Sequence, residues 1–308
     1  MKIILAIDGS EQNKAAVEAV ANRAFPPDTE VRIVTAYEMT PSITKLEPMG
    51  VSQGFYAKAD NFVLKAAEDT TENAAKILHQ KNPALTITTI VIEGSPKNVI
   101  LEEADAFDAD LIIVGSHGYG MVERFLLGSV SQAIALHAKC SVEIVRNPKV
   151  SKIILALDGS EKSEAAVDEI ARQYFSADSE VRVISVVEPI YFPGVDPMSG
   201  VDMELYVQIE KNAQKVAQVT VEKATAKLQA FKESSQFKVT TKVLSGSPKS
   251  VILEEAEAFG SDLIVVGSHG YGMIERFLLG SVSQAVALHA KCSVEIVRSP
   301  KKQTSEIE

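Results

Sequence analysis

The chain has 308 residues, 46% hydrophobic and 23% charged, the balance of a soluble globular protein. Residues 1–150 carry 14 Lys and Arg against 19 Asp and Glu, and the remainder 17 against 22, so each half is at −5. Neither half is a basic platform, which argues against nucleic acid or an anionic membrane as the main partner. No stretch approaches the ~18 consecutive apolar residues of a membrane helix.

Residues 2–7 are a short, β-branched apolar run, as expected of a buried parallel strand. Asp8-Gly9-Ser10 turns the chain, and residues 11–25 carry a helical stripe at Ala15, Ala16, Val17, Val20 and Ala24, ended by Pro26-Pro27. A second strand is predicted over 31–37, a Pro-, Gly- and Ser-rich loop over 40–54, and a long amphipathic helix over 56–81. Then follow a strand over 86–92, a helix over 96–107 with Pro96 in its first turn, and a strand over 111–114. After a glycine loop come a helix over 129–138 and a last strand over 142–145. The second half repeats this order, its long helix at about residues 203–233.

The two halves are copies. Residues 94–146 recur as 246–298 with 46 of 53 positions identical, and residues 2–11 recur as 152–161. The offset grows from 150 to 152, and the period is far too long for a solenoid, whose repeats run about 20–50 residues. Two α/β domains are expected, over residues 1–147 and 152–298, with residues 299–308 a disordered tail. Strands alternating with helices imply an open parallel sheet with helices on both faces. In such sheets ligands bind beyond the carboxyl ends of the strands, where strand order reverses. Asp8 and Gly115 both fall at such ends and are candidates for one site.

The glycine loop of copy one holds Gly115, Gly118, Gly120 and Gly128, followed by Ser129. Glycines allow close approach of backbone to ligand. Ser129 is placed as a helix N-cap, so free N–H groups and the positive dipole end would face an anion. There is no G-x4-G-K-[ST], hence no Walker lysine, and G-x2-G-x-G after the fourth strand is not the dinucleotide fingerprint.

These residues resemble the universal stress protein family, and the likeness covers nearly the whole chain. Its ATP-binding branch carries G-x2-G-x9-G-[ST], matched here by Gly115, Gly118, Gly128 and Ser129, and again by Gly267, Gly270, Gly280 and Ser281. The resemblance implies a five-stranded parallel sheet per domain, Rossmann-like and of the adenine nucleotide alpha hydrolase-like kind. It also implies ATP as the bound cofactor, with Mg²⁺ carried by the nucleotide, held through those glycines and serines. Asp8 and Asp158 match the family's ribose-binding acid. Ala36 and Val186 match the strand position whose backbone contacts adenine. Val130 and Val282 match a position whose amide faces phosphate. Pairing of the two domains through their last strands, and a homodimer beyond that, are further implied associations.

His117 and His269 lie inside the loop without a paired nucleophile or acid, and loop packing or a backbone hydrogen bond is the expectation for both. No metal-ligand spacing such as H-E-x2-H appears. Arg124 and Arg276 suit either a phosphate fork or a solvent-exposed loop. Cys140 and Cys292 read as small buried hydrophobes in a reducing cytoplasm. The expected function is ATP-dependent regulation or protection in a stress response, with occupancy as the switch. A slow ATPase or phosphotransferase is the alternative; no positioned base or arginine finger supports it.

Overall fold

A computed structural model describes residues 1–38, 53–118, 127–172, 178–189, 203–230, 237–269 and 279–298. The chain divides into two compact units, with the break between Lys149 and Val150. In the first unit the order is β1 (Lys2–Ala6), α1 (Glu11–Ala21), β2 (Glu30–Tyr37), α2 (Gln53–Lys81), β3 (Thr86–Glu93), α3 (Pro96–Ala106), β4 (Leu111–Gly115), α4 (Ser129–His137) and β5 (Ser141–Val145). The second unit repeats it as β6 (Lys152–Leu157), α5 (Glu161–Arg172), β7 (Glu180–Val187), α6 (Met203–Ala230), β8 (Lys238–Ser245), α7 (Pro248–Phe259), β9 (Leu263–Gly267), α8 (Ser281–His289) and β10 (Ser293–Val297).

Each unit is a five-stranded parallel sheet. The first runs β3-β2-β1-β4-β5 and the second β8-β7-β6-β9-β10. Alternate residues of the inner strands serve opposite faces. In the first unit Ile3, Leu5, Ile33, Leu111 and Ile113 pack with Ala16, Val20 and Leu78 of α1 and α2. The intervening Ile4, Val34 and Ile112 are equally buried, and α3 packs with α4, β1 and β2. Both faces are thus covered, which is why the strands read as continuous apolar runs. β1 lies between β2 and β4, so the strand order reverses at the β1–β4 seam, where Ala6 registers with Val114. In the second unit Ala156 registers with Val266 at the same seam.

Two local expectations are corrected. The first helix ends at Ala21, four residues short of Phe25. Asn22 donates its N–H to Glu18 O at 3.0 Å, and Arg23 then turns away: its carbonyl accepts from Asn82 and its guanidinium forks onto Glu143, both bonds at 2.7 Å. Secondly, the N-cap before α4 is Gly128, not Ser129. Gly128 has extended backbone, φ −62° and ψ 148°, and its carbonyl accepts the first helical bond from Gln132 N at 2.8 Å. Ser129 is therefore the first helical residue, and Ser281 holds the same place after Gly280.

The repeat also explains one of its own substitutions. The α3 helix is followed by Asp108 at φ 53°, and the α7 helix by Gly260 at φ 67°. Both turns close with the same bond, Ala109 N to Ala104 O in one and Ser261 N to Ala256 O in the other, each 2.9 Å. That left-handed position suits glycine, and aspartate better than most other residues.

Candidate functional site

At each β1–β4-type seam the strand ends open into a cavity. In the first unit it is about 250 Å³ and is lined by Asp8, Ala36, Gly115, Gly118, Gly128, Ser129 and Val130, all of them singled out in the sequence. Ala6, Val114, Pro96 and Ile100 complete its apolar wall. The second cavity is about 320 Å³, lined by Asp158, Val186, Gly267, Gly280, Ser281 and Val282. Gly270 lies outside the described residues, as do Gly120, Arg124, Arg276 and residues 39–52 and 190–202.

The acid is held by its own turn. Gly9 and Gly159 both have φ 84°, a left-handed conformation that lets the chain double back. The Ser10 N–H then donates to Asp8 Oδ1 at 2.9 Å, and the Asn13 side-chain amide donates to the same oxygen. In the second unit Asp158 Oδ1 accepts from Ser160 N at 3.0 Å and from Ser160 Oγ at 2.7 Å. Gly118 lies so close that a Cβ there would run into Asp8 Oδ2.

The base of the loop is fixed by bonds of its own. Gly128 N donates to Ser116 O at 2.8 Å, and Ser131 Oγ donates to Gly115 O at 2.6 Å. Gly280 and Ser283 make the matching bonds to Ser268 O and Gly267 O, at 2.8 and 2.6 Å. A Cβ on Gly128 would come within 3.2 Å of Ser116 O, and one on Gly280 within 3.1 Å of Ser268 O. These contacts are tight enough that glycine lets helix and strand end meet without displacement. They set the start of α4, or of α8, at the cavity wall, with the unbonded N–H groups of a helix's first turn beside it.

Ser131 and Ser283 were missed in the sequence, where they read as ordinary helical serines. Their signal was the S-V-S run opening the helix, one serine exposed and the next buried. His117 and His269 also line the cavities. They are 6% and 5% exposed, and Nδ1 lies 3.0 Å from Ser116 Oγ in one and 3.3 Å from Ser268 Oγ in the other. Among the described residues neither Nε2 has a hydrogen-bond partner. A buried polar group left unpaired costs about 1–3 kcal/mol, so a double occurrence at one place in two copies calls for a physical reason. Burial pushes both pKa values below the ordinary 6.5; Arg146 adds to the effect at His117, and Lys162 and Arg298 at His269. Both shifts favour the neutral form of the ring.

The lining of each cavity combines apolar strand-end residues, a carboxylate, and a helix N-terminus with glycine backbone. Among the described residues no three His, Cys, Asp or Glu side chains converge as a metal site, and no helix is long and apolar enough to cross a membrane.

The comparisons with known proteins agree with the architecture. The sequence model of the universal stress protein family matches residues 1–146 and again 149–298. A universal stress protein of Mycobacterium tuberculosis is 27% identical over 315 aligned positions, covering 96% of this chain and 96% of that protein. One from Methanocaldococcus jannaschii is 35% identical over 162 positions, covering 52% of this chain and 90% of its own length. The crystal structure of a universal stress protein from Archaeoglobus fulgidus superposes with a TM-score of 0.60 at 18% identity, covering 97% of each chain, a likeness of fold. With two matched domains, each an open parallel sheet with a cavity at its strand reversal, the chain belongs to the universal stress protein family.

Proposed function

We propose that each domain binds one ATP at the cavity beside its strand reversal, and that occupancy regulates the protein's part in a stress response. The observation that carries this reading is the convergence, in both copies, of acid, adenine-side strand position and glycine-serine loop on one cavity. Asp8 and Asp158 would take the ribose hydroxyls, their Oδ1 atoms already fixed by the turn. The first-turn amides of α4 and α8, including those of Val130 and Val282, would take phosphate oxygens. Mg²⁺ would arrive with the nucleotide. Binding is favoured over turnover because no Walker-type lysine stands among the described lining residues of either cavity.

Mass spectrometry of small molecules released from the purified, denatured protein tests whether ATP is carried. Calorimetry with ATP, ADP, cyclic AMP and NAD in parallel tests stoichiometry and choice. Two ATP per chain, bound ahead of NAD, is the expected result; no heat at millimolar ATP overturns the assignment. Binding to the native state alone adds about 2.7 kcal/mol of stability at 100 times the dissociation constant.

A further inference from the structure

We infer that the second domain has another binding site, a groove between α5 and α6 that takes a small amphipathic anion: an apolar body carrying one carboxylate. The groove encloses about 440 Å³, more than the cavity at the strand reversal of the same domain, and within the range of about 300–1,000 Å³ usual for small-molecule sites. It lies beyond Leu157, the last residue of β6, where Gly159, Ser163 and Ala224 are too small to fill the space between the two helices. Among the described residues the two cavities of this domain share only Leu157 and Ser163, so the groove stands whether or not the other cavity holds a nucleotide.

Two neighbouring rows of α6 set its chemistry. Residues four apart stand in line on a helix, so Lys215, Val219, Lys223 and Lys227 form one row and Val216, Thr220 and Ala224 the next. Val216 is 57% exposed and Val219 38%, apolar surface that would be covered by a ligand's hydrocarbon body. Lys227 is paired with Asp168, but among the described residues Lys215 and Lys223 have no acid or hydrogen-bond partner. Glu164 is the only carboxylate among the described lining residues, in a chain whose net charge is −10. A carboxylate at Lys215 and Lys223 with its body along the two valines uses both features. An inorganic anion would use only the lysines, and a neutral hydrocarbon only the valines.

The first domain supplies an internal comparison. Its helix α2 buries Ala67, Thr71, Ala74 and Leu78 as α6 buries Ala217, Val221, Ala224 and Leu228, so the two helices align at an offset of 150. At the groove positions α2 has Asp69, Asn73 and Ile77 where α6 has Val219, Lys223 and Lys227. An acid has given way to an apolar residue, and two uncharged residues to cations, all along one row. These positions are exposed or half-exposed in both copies, so packing of the helix on its sheet requires none of the changes. Across the groove the charge change runs the other way, from Lys14 to Glu164, which leaves the cations gathered on α6.

The test uses the full chain, with decanoate as the probe. Calorimetry should show one decanoate per chain, bound less tightly as salt rises because Lys215 and Lys223 are exposed. Decanol keeps the body without the charge and inorganic phosphate the charge without the body; each should bind at least about tenfold more weakly. The double variant Val219→Asp, Lys223→Asn installs residues that the first domain carries on its own helix. It should keep the wild-type melting temperature and lose decanoate affinity by about tenfold or more, the size of one lost hydrogen bond to a charged group. Decanoate binding that is absent from the wild type, saturates far above one per chain, or persists undiminished in the double variant overturns the site. Repeating the titration in saturating ATP separates the two cavities: unchanged decanoate affinity supports an independent groove, and displacement by ATP overturns it. A wild type that binds decanoate but no ATP overturns the nucleotide reading and leaves the groove standing.

Discussion

At the scale of single residues the cavity depends on how its one carboxylate is held. Asp8 is bonded by Ser10 and Asn13 through one oxygen, and the other oxygen occupies the space that a Cβ on residue 118 would need. Gly118→Val therefore displaces the carboxylate before any ligand arrives. Calorimetry should show ATP stoichiometry falling from two to one, with unfolding free energy changed by less than about 1 kcal/mol because the loop lies outside the core. Retention of two ATP per chain would place the site elsewhere. The histidines give a second expectation, this one in pH. Their folded-state pKa values lie below 6.5, chiefly through burial, with Arg146 beside one and Lys162 and Arg298 beside the other. As pH falls, the unfolded chain takes up these protons first, so their contribution is full above pH 6.5 and is lost as pH falls through the folded values. The double variant His117→Gln, His269→Gln should flatten the fall in melting temperature below pH 6.5. An unchanged slope would show that other groups govern it.

At the scale of elements, strand and helix order was legible because period-2 burial, apolar runs and Pro or Gly punctuation all act locally. The end of α1 was not, because what stops it is distant. Arg23, 7% exposed, forks onto Glu143 of β5, 1% exposed and 120 positions away, and no periodicity reports such a pair. Removing one partner leaves a buried, uncompensated carboxylate, so Arg23→Ala should cost about 3–5 kcal/mol, while Arg23→Leu with Glu143→Leu should cost far less. Denaturant melts of the two variants check it; similar losses in both would assign the cost to packing instead. The N-cap was misplaced by one residue because serine usually caps, and here Gly128 is forced into the cap by its approach to Ser116 O. The partnerless Nε2 atoms were illegible for a related reason: a vacant hydrogen-bond site is a property of three-dimensional neighbours. One element-level difference can be tested directly. Gly260→Ala meets open space but keeps φ near 67°, so strain alone should lower stability, by about 1 kcal/mol; a neutral result in melts would mean the turn relaxes.

At the scale of the whole chain, the near-identical loops suggest two equal sites, yet the turns facing them have diverged. Position 12 is Gln in the first domain, and its counterpart in the second is Lys162, close enough to act electrostatically on His269. Asn13, which binds Asp8, is replaced by Ser163, which instead donates to Ser160 O and accepts from Gly159 N. Among the described residues Asp158 is consequently held by Ser160 alone, and it is more exposed than Asp8. One site thus has a more rigid acid, the other an additional cation. For a ligand bearing several negative charges the cation dominates, since its attraction acts over about 10 Å at 0.1 M salt whereas a stiffer ribose contact acts only on touch. The second domain should therefore bind ATP more tightly at low ionic strength and lose more affinity as salt rises. Calorimetry at a series of salt concentrations should resolve two steps that merge towards one. Lys162→Gln, which restores the residue of the first domain, should make the two salt dependences parallel. Two sites of equal affinity at every salt concentration would show that Lys162 does not reach the ligand.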